Sequence, residues 1–248
     1  MRIGTTSYIY PADIITNVRK LAGRVQDIEL LLLEVSDPER DLPDKNVIRE
    51  LRQIAADHGM TYTVHLPLTL GLAGNRGNVD LARRVILSTL ELDPYGFNVH
   101  LEDGFWKSSN ELPRWVENAV KSLELIRETT GVMDKICVEN LEDQPRRMMD
   151  SVLASIPVSC CVDVGHLWKH GLDPVPCLES WLPRARVVHI HGVGAKDHQK
   201  LSVTPLDRLE PVVALLEKSF NGVLTIEIFS EPDLIDSQAV LRKLGLLA

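Results

Sequence analysis

Short apolar runs alternate with longer amphipathic segments from one end of the chain to the other. The short runs have the length and residue types of buried β-strands. They predict eight strands, over residues 2–7, 28–35, 61–66, 98–101, 135–140, 159–164, 187–191 and 223–229. Regular alternation of strands and helices is typical of a parallel sheet built from β/α units.

Apolar residues at helical spacing predict the segments between the strands to be helices. Segment 44–58 illustrates the pattern, with Val47, Leu51 and Ile54 on one face and Gly59 as its stop. Further helices are predicted over 80–92, 113–129, 145–155, 175–182, 207–218 and 236–246. The helix after the first strand is expected to begin at Pro11, because proline suits the first helical turn.

Eight β/α units in a chain of this length predict a single (β/α)8 TIM barrel with its active site at the C-terminal mouth. We expect one domain over residues 1–248, since no segment resembles an interdomain linker. A doubly wound open sheet is the alternative, but no G-x-G-x-x-G pattern follows the first strand.

Composition fits a soluble globular protein, with 44% hydrophobic and 25% charged residues. No apolar run approaches the roughly 20 residues that span a bilayer, and the N-terminus lacks the layout of a signal peptide. We therefore expect a cytoplasmic protein with no membrane partner. The formal net charge of −8 disfavours binding to duplex nucleic acid.

The four cysteines, Cys137, Cys160, Cys161 and Cys177, have no C-x-x-C spacing. Cys160 and Cys161 begin an apolar strand, so we interpret them as small buried hydrophobic residues. A disulfide framework is not expected.

Carboxylates and imidazoles recur where the predicted strands end, and in a closed parallel barrel these ends meet at one mouth. The candidates are His65, His100, Glu139, Asp163, His166, His189 and Glu227. His191 shares a strand face with His189, but only one of the two needs to reach a metal. On the second strand, Glu29 and Glu34 are weaker candidates.

Taken singly, each histidine could be a hydrogen-bonded structural residue, and each glutamate could form a salt bridge to a lysine or arginine, without any role in metal binding. Together, Glu139, Asp163 and Glu227 would repel one another strongly in a mouth of low dielectric. No lysine or arginine lies at these strand ends, so bound metal is the simplest compensation. Mixed imidazole and carboxylate ligands favour Zn or Mn over Mg or Ca.

The motifs H-x-P at His65, E-N at Glu139, D-x-G-H ending at His166 and H-x-H at His189 resemble those of a known family. The chain is similar to the xylose-isomerase-like TIM-barrel superfamily, which includes endonuclease IV-type (AP endonuclease 2) enzymes. The isomerase and epimerase branch implies one metal with four ligands and His166 close by. Those ligands are Glu139, Asp163, His189 and Glu227.

The endonuclease IV-type branch implies three zinc ions. His65 and His100 would hold one, and Glu139 would bridge it to a second, held also by Asp163, His189 and Glu227. His166 and His198 would hold the third.

The chain departs from that pattern at Lys196, which stands where the branch has an aspartate, although the adjacent Asp197 could substitute. We expect one to three divalent ions per chain.

His65, His100 and His198 are not needed by a sugar epimerase, so the resemblance favours a multinuclear hydrolase, a phosphodiesterase. Glu139 and Glu227 are the predicted catalytic residues. In the hydrolase hypothesis Glu139 bridges metals and Glu227 helps to orient the attacking water. In the alternative, a single-metal sugar (phosphate) isomerase or epimerase, the same two residues act as base and acid.

Aromatic residues follow several predicted strands and suggest a platform for a bulky small-molecule substrate. The predicted substrate contacts are Tyr8, Tyr10, Trp106, Trp168 and Asn140. The segments T-S-Y-I-Y-P and V-E-N-L-E-D-Q-P resemble cobamide-remodelling phosphodiesterases, which implies cleavage in the nucleotide loop of a corrinoid. A non-catalytic binding barrel is a third hypothesis.

Overall fold

The chain closes into a barrel of eight parallel strands. The computed structural model describes residues 1–74, 77–102 and 111–247. The strands are β1 (Arg2–Thr6), β2 (Asp27–Leu31), β3 (Thr61–His65), β4 (Phe97–Val99), β5 (Ile136–Glu139), β6 (Ser159–Asp163), β7 (Ala185–Ile190) and β8 (Val223–Ile226). They are hydrogen-bonded in chain order, and pairing of β1 with β8 closes the barrel. The predicted TIM barrel is confirmed.

Helices connect the strands and cover the outside of the barrel. Those of the described residues are α1 (Ile14–Leu21), α2 (Pro38–Asp41), α3 (Lys45–His58), α4 (Val79–Thr89), α5 (Leu112–Thr130), α6 (Arg146–Ser155), α7 (Val164–Lys169), α8 (Pro174–Trp181), α9 (Leu206–Ser219) and α10 (Glu231–Lys243). The expected stop of α3 is present, because Gly59 adopts a left-handed conformation with φ of 63°. None of the described helices combines the length and the apolar character needed to cross a membrane.

Several helices differ from the sequence prediction; α10, for example, begins at Glu231 rather than at residue 236, with Ser230 as its N-cap. The first helix begins at Ile14 rather than Pro11, because the Asp13 side chain caps it by accepting a hydrogen bond from Thr16 N at 2.8 Å. Helix α7 was not predicted, and it begins directly after β6. Asp163 is its N-cap and accepts from His166 N at 2.6 Å. The D-x-G-H motif is therefore a strand-to-helix turn.

Alternating residues on three adjacent strands build two layers inside the barrel. Cys137, Cys161 and Val187 form a fully buried apolar cluster. Two residues further along the same strands come Glu139, Asp163 and His189, respectively. Since alternate strand residues share a face, the apolar layer supports the polar one. All four cysteines are free and buried, including Cys160 and Cys161, for which burial was predicted.

Asp27 is a buried carboxyl at the start of β2, at the end of the strand away from the mouth. The Thr61 hydroxyl donates to its Oδ2 at 2.6 Å, and the Thr63 hydroxyl donates to Oδ1. Burial raises the pKa of Asp27 to about 7 although both hydroxyls act to lower it. The folded barrel thus favours the protonated form of Asp27 more strongly than the unfolded chain does.

The substitution Asp27→Asn should reduce the pH dependence of stability in the metal-free protein. The pKa of Asp27 is raised on folding, so its stabilising effect is complete below the unfolded value near 4 and is lost as pH rises toward 7. Relative to the variant, the wild type should lose up to about 4 kcal/mol of unfolding free energy between about pH 4 and pH 8. Urea denaturation across this range measures the difference. The exposed Asp57→Asn change is the control, and a pH-independent difference for Asp27→Asn would contradict the assignment.

Candidate metal centre

The predicted metal ligands come together at the C-terminal mouth of the barrel. His65, Glu139, Asp163, His189 and Glu227 are each no more than 6% exposed, although they follow or end different strands. His100 and His166 lie beside them, and His198 reaches the same mouth from the loop after β7. Closure of the barrel therefore brings all of the predicted ligands together at its mouth.

One group of four ligands surrounds the ring of His189. Its Nδ1 is 3.1 Å from Glu227 Oε2, 3.4 Å from Glu139 Oε1 and 3.7 Å from Asp163 Oδ2. One ligand atom from each of the four residues lies within 4.8 Å of the others. Three carboxylates and one imidazole at this spacing could hold a divalent ion.

A second group shares Glu139 with the first. His65 Nε2 and His100 Nε2 lie 3.4 Å and 3.5 Å from Glu139 Oε2. His65 Nδ1 is 2.8 Å from the carbonyl of Leu66, which accepts only, so this ring nitrogen carries the proton. His65 Nε2 is then free to act as a ligand. One oxygen of Glu139 thus faces each group.

A third group consists of three histidines on the neighbouring side of the mouth. His166, His191 and His198 each offer a ring nitrogen within 4.8 Å of the other two. Only His166 and His198 were predicted as ligands, whereas His191 was set aside in favour of His189. Glu142, His166 and Asp197 likewise offer ligand atoms within 4.8 Å of one another.

Buried polar atoms without a hydrogen-bond partner mark the first two ligand groups. Among the described residues, these atoms are Asp163 Oδ2, His189 Nδ1 and Glu227 Oε2 in the four-ligand group, and Glu139 Oε2 and His100 Nε2 in the second group. Buried polar groups are normally satisfied, and each unsatisfied atom carries a desolvation cost of about 1–3 kcal/mol. The donor set and its unpaired atoms therefore fit a divalent metal.

The carboxylates at the mouth pair with histidines. Burial would raise the pKa of Glu139, but His189 and His100 hold it well below its ordinary value. Burial would likewise lower the pKa of His100, but Glu139 and Glu102 raise it to about 10. In the metal-free state imidazolium protons supply the positive charge, so metal binding must displace protons.

Glu29 on β2 lies behind His189, on the side of the ring away from the other carboxylates. Its Oε2 is 3.2 Å from His189 Nε2, and its Oε1 accepts from Asn98 Nδ2 at 2.5 Å. A carboxylate behind a ligating imidazole fixes the ring tautomer and increases its basicity. The strand carrying Glu29 was the weaker candidate in the sequence, yet this side chain is fully buried.

Asn140, predicted as a substrate contact, has its side chain engaged by the backbone of Asp163. Its Nδ2 donates to Asp163 O at 2.9 Å, and its Oδ1 accepts from Asp163 N at 2.9 Å. The backbone carbonyl of Asn140 lies 3.0 Å from His166 Nδ1. The E-N motif thus links the end of β5 to two candidate ligands that follow.

Those predicted aromatic contacts that the structure describes lie apart from one another. Tyr10 donates to Glu231 Oε1 at 2.6 Å, between α1 and α10, and Trp168 is buried in α7. Tyr8 is 58% exposed and lines a separate crevice of about 400 Å³. Trp106 lies outside the described residues. Among the described residues that line the mouth, Phe229 contributes a phenyl ring.

The mouth encloses a cavity of about 440 Å³ with a polar centre. Leu33, Leu68, Leu141 and Phe229 provide apolar walls around the histidines and carboxylates. A larger cleft of about 680 Å³ lies at the opposite end of the barrel, where the β6 and β7 strands begin. Arg184 and Arg186 in that cleft are bonded to backbone carbonyls. The chemistry therefore points to the smaller cavity at the mouth.

The sequence matches the family model of the xylose isomerase-like TIM barrel (AP endonuclease 2) over residues 23–244. No curated protein matches it at the sequence level. The structure resembles a D-tagatose 3-epimerase-like protein, with a TM-score of 0.78, 20% identity and coverage of 99% of this chain and 97% of that one.

Two further solved structures are similar along their whole length. Endonuclease IV from Thermus thermophilus gives a TM-score of 0.69 at 18% identity, covering 98% of this chain and 100% of that one. D-psicose 3-epimerase from Clostridium cellulolyticum gives 0.69 at 16% identity, covering 100% of both. Identities this low establish the common fold, and this fold hosts both hydrolytic and isomerising enzymes.

The substitution Glu29→Gln should weaken metal binding while the ligands themselves remain. Replacing a partner behind a ligating histidine typically costs about 10–100-fold in metal affinity. Competition with a chromophoric chelator measures the dissociation constant. Glu34→Gln, an exposed change that follows β2, is the matched control. Equal affinities for Glu29→Gln and the wild type would rule out a role for Glu29 in holding His189.

Proposed function

The chain belongs to the xylose isomerase-like TIM barrel family, and we propose that it is a metal-dependent phosphodiesterase acting on a small-molecule phosphodiester. Zn and Mn suit its mixture of imidazole and carboxylate ligands. The finer proposal, that the substrate is the nucleotide loop of a corrinoid, rests on the T-S-Y-I-Y-P and V-E-N-L-E-D-Q-P segments.

The two-sided environment of Glu139 carries the proposal. Its Oε1 lies 3.4 Å from His189 Nδ1 in the four-ligand group, and its Oε2 lies 3.4 Å from His65 Nε2 in the second group. A carboxylate placed between two ligand groups is suited to bridge two metal ions. A single-metal isomerase has no need of a second group on the far oxygen.

Bound metal ions would supply an activated water and stabilise the leaving oxygen of the phosphodiester. Around them, Glu139 joins the two ligand groups, and Asp163 and Glu227 complete the first group. Glu227 also faces His198, with 3.4 Å between Oε2 and Nε2. As a ligand of the first group it would help to orient the attacking water. The acidic cluster would repel a phosphodiester anion until cations are bound.

The shape and charge of the mouth favour a small substrate. Apolar walls around a polar centre are typical of small-molecule pockets, and this one encloses about 440 Å³. A duplex requires extensive phosphate neutralisation, whereas this chain has a formal net charge of −8. A corrinoid would present only its phosphodiester to the metal centre, with its bulk outside the cavity.

A single-metal sugar isomerase or epimerase is the second candidate. The group of Glu139, Asp163, His189 and Glu227 is complete without the additional histidines. Glu139 and Glu227 both border the cavity, as an acid and base pair would. In this case one ion per chain would suffice for activity.

The direct test combines metal quantification with turnover of bis(p-nitrophenyl) phosphate and of a cobalamin, before and after chelation. We expect at least two ions per chain, with hydrolysis that chelation abolishes and Zn or Mn restores. One ion per chain, with no hydrolysis but with epimerisation of ketohexoses, would overturn the proposal.

The substitution His100→Ala should separate the two candidates. Removal of a residue that hydrogen-bonds to a metal ligand typically lowers activity by about 10–100-fold, and removal of the ligand itself should lower it further. Phosphodiester hydrolysis should therefore fall by at least about 100-fold. The metal content should fall by one ion as well. His58→Ala, an exposed change at the end of α3, is the control. If His100→Ala retains hydrolysis, this histidine is not a metal ligand of the hydrolytic centre.

A further inference from the structure

We propose that His166, His191 and His198 form a distinct metal site with three imidazole ligands, and that Asp197 supports this site from behind rather than ligating in it. The inference rests on the proposed function, because it adds an ion to the same mouth. Each ring offers one nitrogen within 4.8 Å of those of the other two. Their centroids are 4.2 Å, 5.8 Å and 5.8 Å apart in the three pairs.

His166 has one ring nitrogen committed and the other available. Its Nδ1 lies 3.0 Å from the backbone carbonyl of Asn140. A carbonyl only accepts, so the neutral ring carries its proton on Nδ1 and keeps a lone pair on Nε2. A ligating histidine is ordinarily held in this way, with its second nitrogen donating to an oxygen.

His191 is fully buried, and its Nε2 makes no hydrogen bond with the described residues, although Asp163 Oδ1 lies 3.3 Å from it. Its Nδ1 faces two oxygens at 3.3 Å, Asp197 Oδ1 and the carbonyl of Gly192. With the ring proton on Nδ1, between these two acceptors, Nε2 keeps its lone pair. A cation bound at Nε2 would use this lone pair and offset the negative charge of Asp163.

Gly165 makes the position of His191 possible. A Cβ at residue 165 would lie 2.1 Å from Cε1 and 2.2 Å from Nε2 of His191. Any side chain there would push the ring away from α7. The glycine of the D-x-G-H motif therefore lets the imidazole of His191 approach that of His166.

His198 is held toward the mouth by an unusual backbone. Its φ of 50° lies in the left-handed region, which is uncommon for residues other than glycine and recurs at functional sites. Paired hydrogen bonds between Gly192 and Gln199, of 2.6 Å and 3.0 Å, close the loop that carries it. The ring stacks on His191 at an interplanar angle of 19°.

Asp197 approaches the imidazoles from the side of their Nδ1 atoms. Its Oδ1 is 3.3 Å from His191 Nδ1 and 3.8 Å from His198 Nδ1. Its Oδ2 lies 2.5 Å from Lys169 Nζ, and this ammonium also contacts Glu142 Oε1 at 3.1 Å. Both carboxylate oxygens are thus occupied, which suits an orienting partner and not a ligand.

The replacement of an aspartate ligand by His191 has an electrostatic consequence. Three neutral imidazole ligands add no charge of their own, whereas an aspartate ligand would cancel one unit of the ion's charge. The negative charge near the ion comes instead from Asp163, Glu227 and Glu142, whose oxygens lie 3.3 Å, 3.4 Å and 3.5 Å from Nε2 of His191, His198 and His166, respectively. Three histidines and an open position are a known arrangement for catalytic zinc.

Metal content per chain after dialysis, measured by inductively coupled plasma mass spectrometry, tests the inference. We expect three ions in the wild type and two in His191→Asn. The rim substitution His198→Asn should give the same loss without changing the barrel interior. Asp197→Asn should retain three ions with about 10–100-fold weaker affinity for one. The exposed Lys196→Ala change is the control and should retain three.

Retention of all three ions by folded His191→Asn and His198→Asn would overturn the inference, as would loss of an ion from Asp197→Asn with none lost from His191→Asn. Thermal unfolding confirms that each variant is folded. A wild type with two ions and intact phosphodiester hydrolysis would overturn this site alone. A wild type with one ion and epimerase activity would overturn the proposed function as well.

Discussion

Three carboxylates buried within a few ångströms of one another are the constraint on which the rest of this mouth depends. Two like charges 4 Å apart repel by about 4 kcal/mol at an effective dielectric constant of 20. Glu139, Asp163 and Glu227 would therefore take up protons unless positive charge is supplied. Their ion pairs are with histidines, which can carry a proton or exchange it for a metal ion.

The barrel holds this charge in place through contacts that leave the ligand atoms free. Glu29 meets the rear nitrogen of His189, and Asn140 holds the backbone of Asp163. Asp163 itself divides its oxygens, since Oδ1 caps α7 while Oδ2 has no hydrogen-bond partner among the described residues. Ligands fixed before the ion arrives lose little conformational freedom on binding, which favours tight and specific coordination.

The fold was predictable because each strand is a compact apolar run, and parallel strands bring their carboxyl ends together. The same logic located the four-ligand group, since Glu139, Asp163, His189 and Glu227 each stand at or beside a strand end. The position along a strand did not predict the role of Glu29. That role depends on a contact across the barrel, between Glu29 and the ring nitrogen Nε2 of His189.

Helix α7 explains two further differences from the sequence interpretation. Strand parity alone puts His189 and His191 on one face, but the turn at Asp163 and Gly165 makes room for the second ring beside His166. The same turn leads into the helix whose Trp168 packs in the hydrophobic core. Tyr10 follows β1, and its phenol donates a hydrogen bond to Glu231.

The choice between hydrolase and isomerase depends on what the second oxygen of Glu139 can do. A general base needs an oxygen that faces the substrate with room to accept a proton. Here Oε2 lies between His65 and His100, at 3.4 Å and 3.5 Å, while Oε1 faces His189. With both oxygens committed to imidazole-bearing groups, Glu139 is better placed to join two cations than to remove a proton from carbon. That placement is the argument for the phosphodiesterase that we propose.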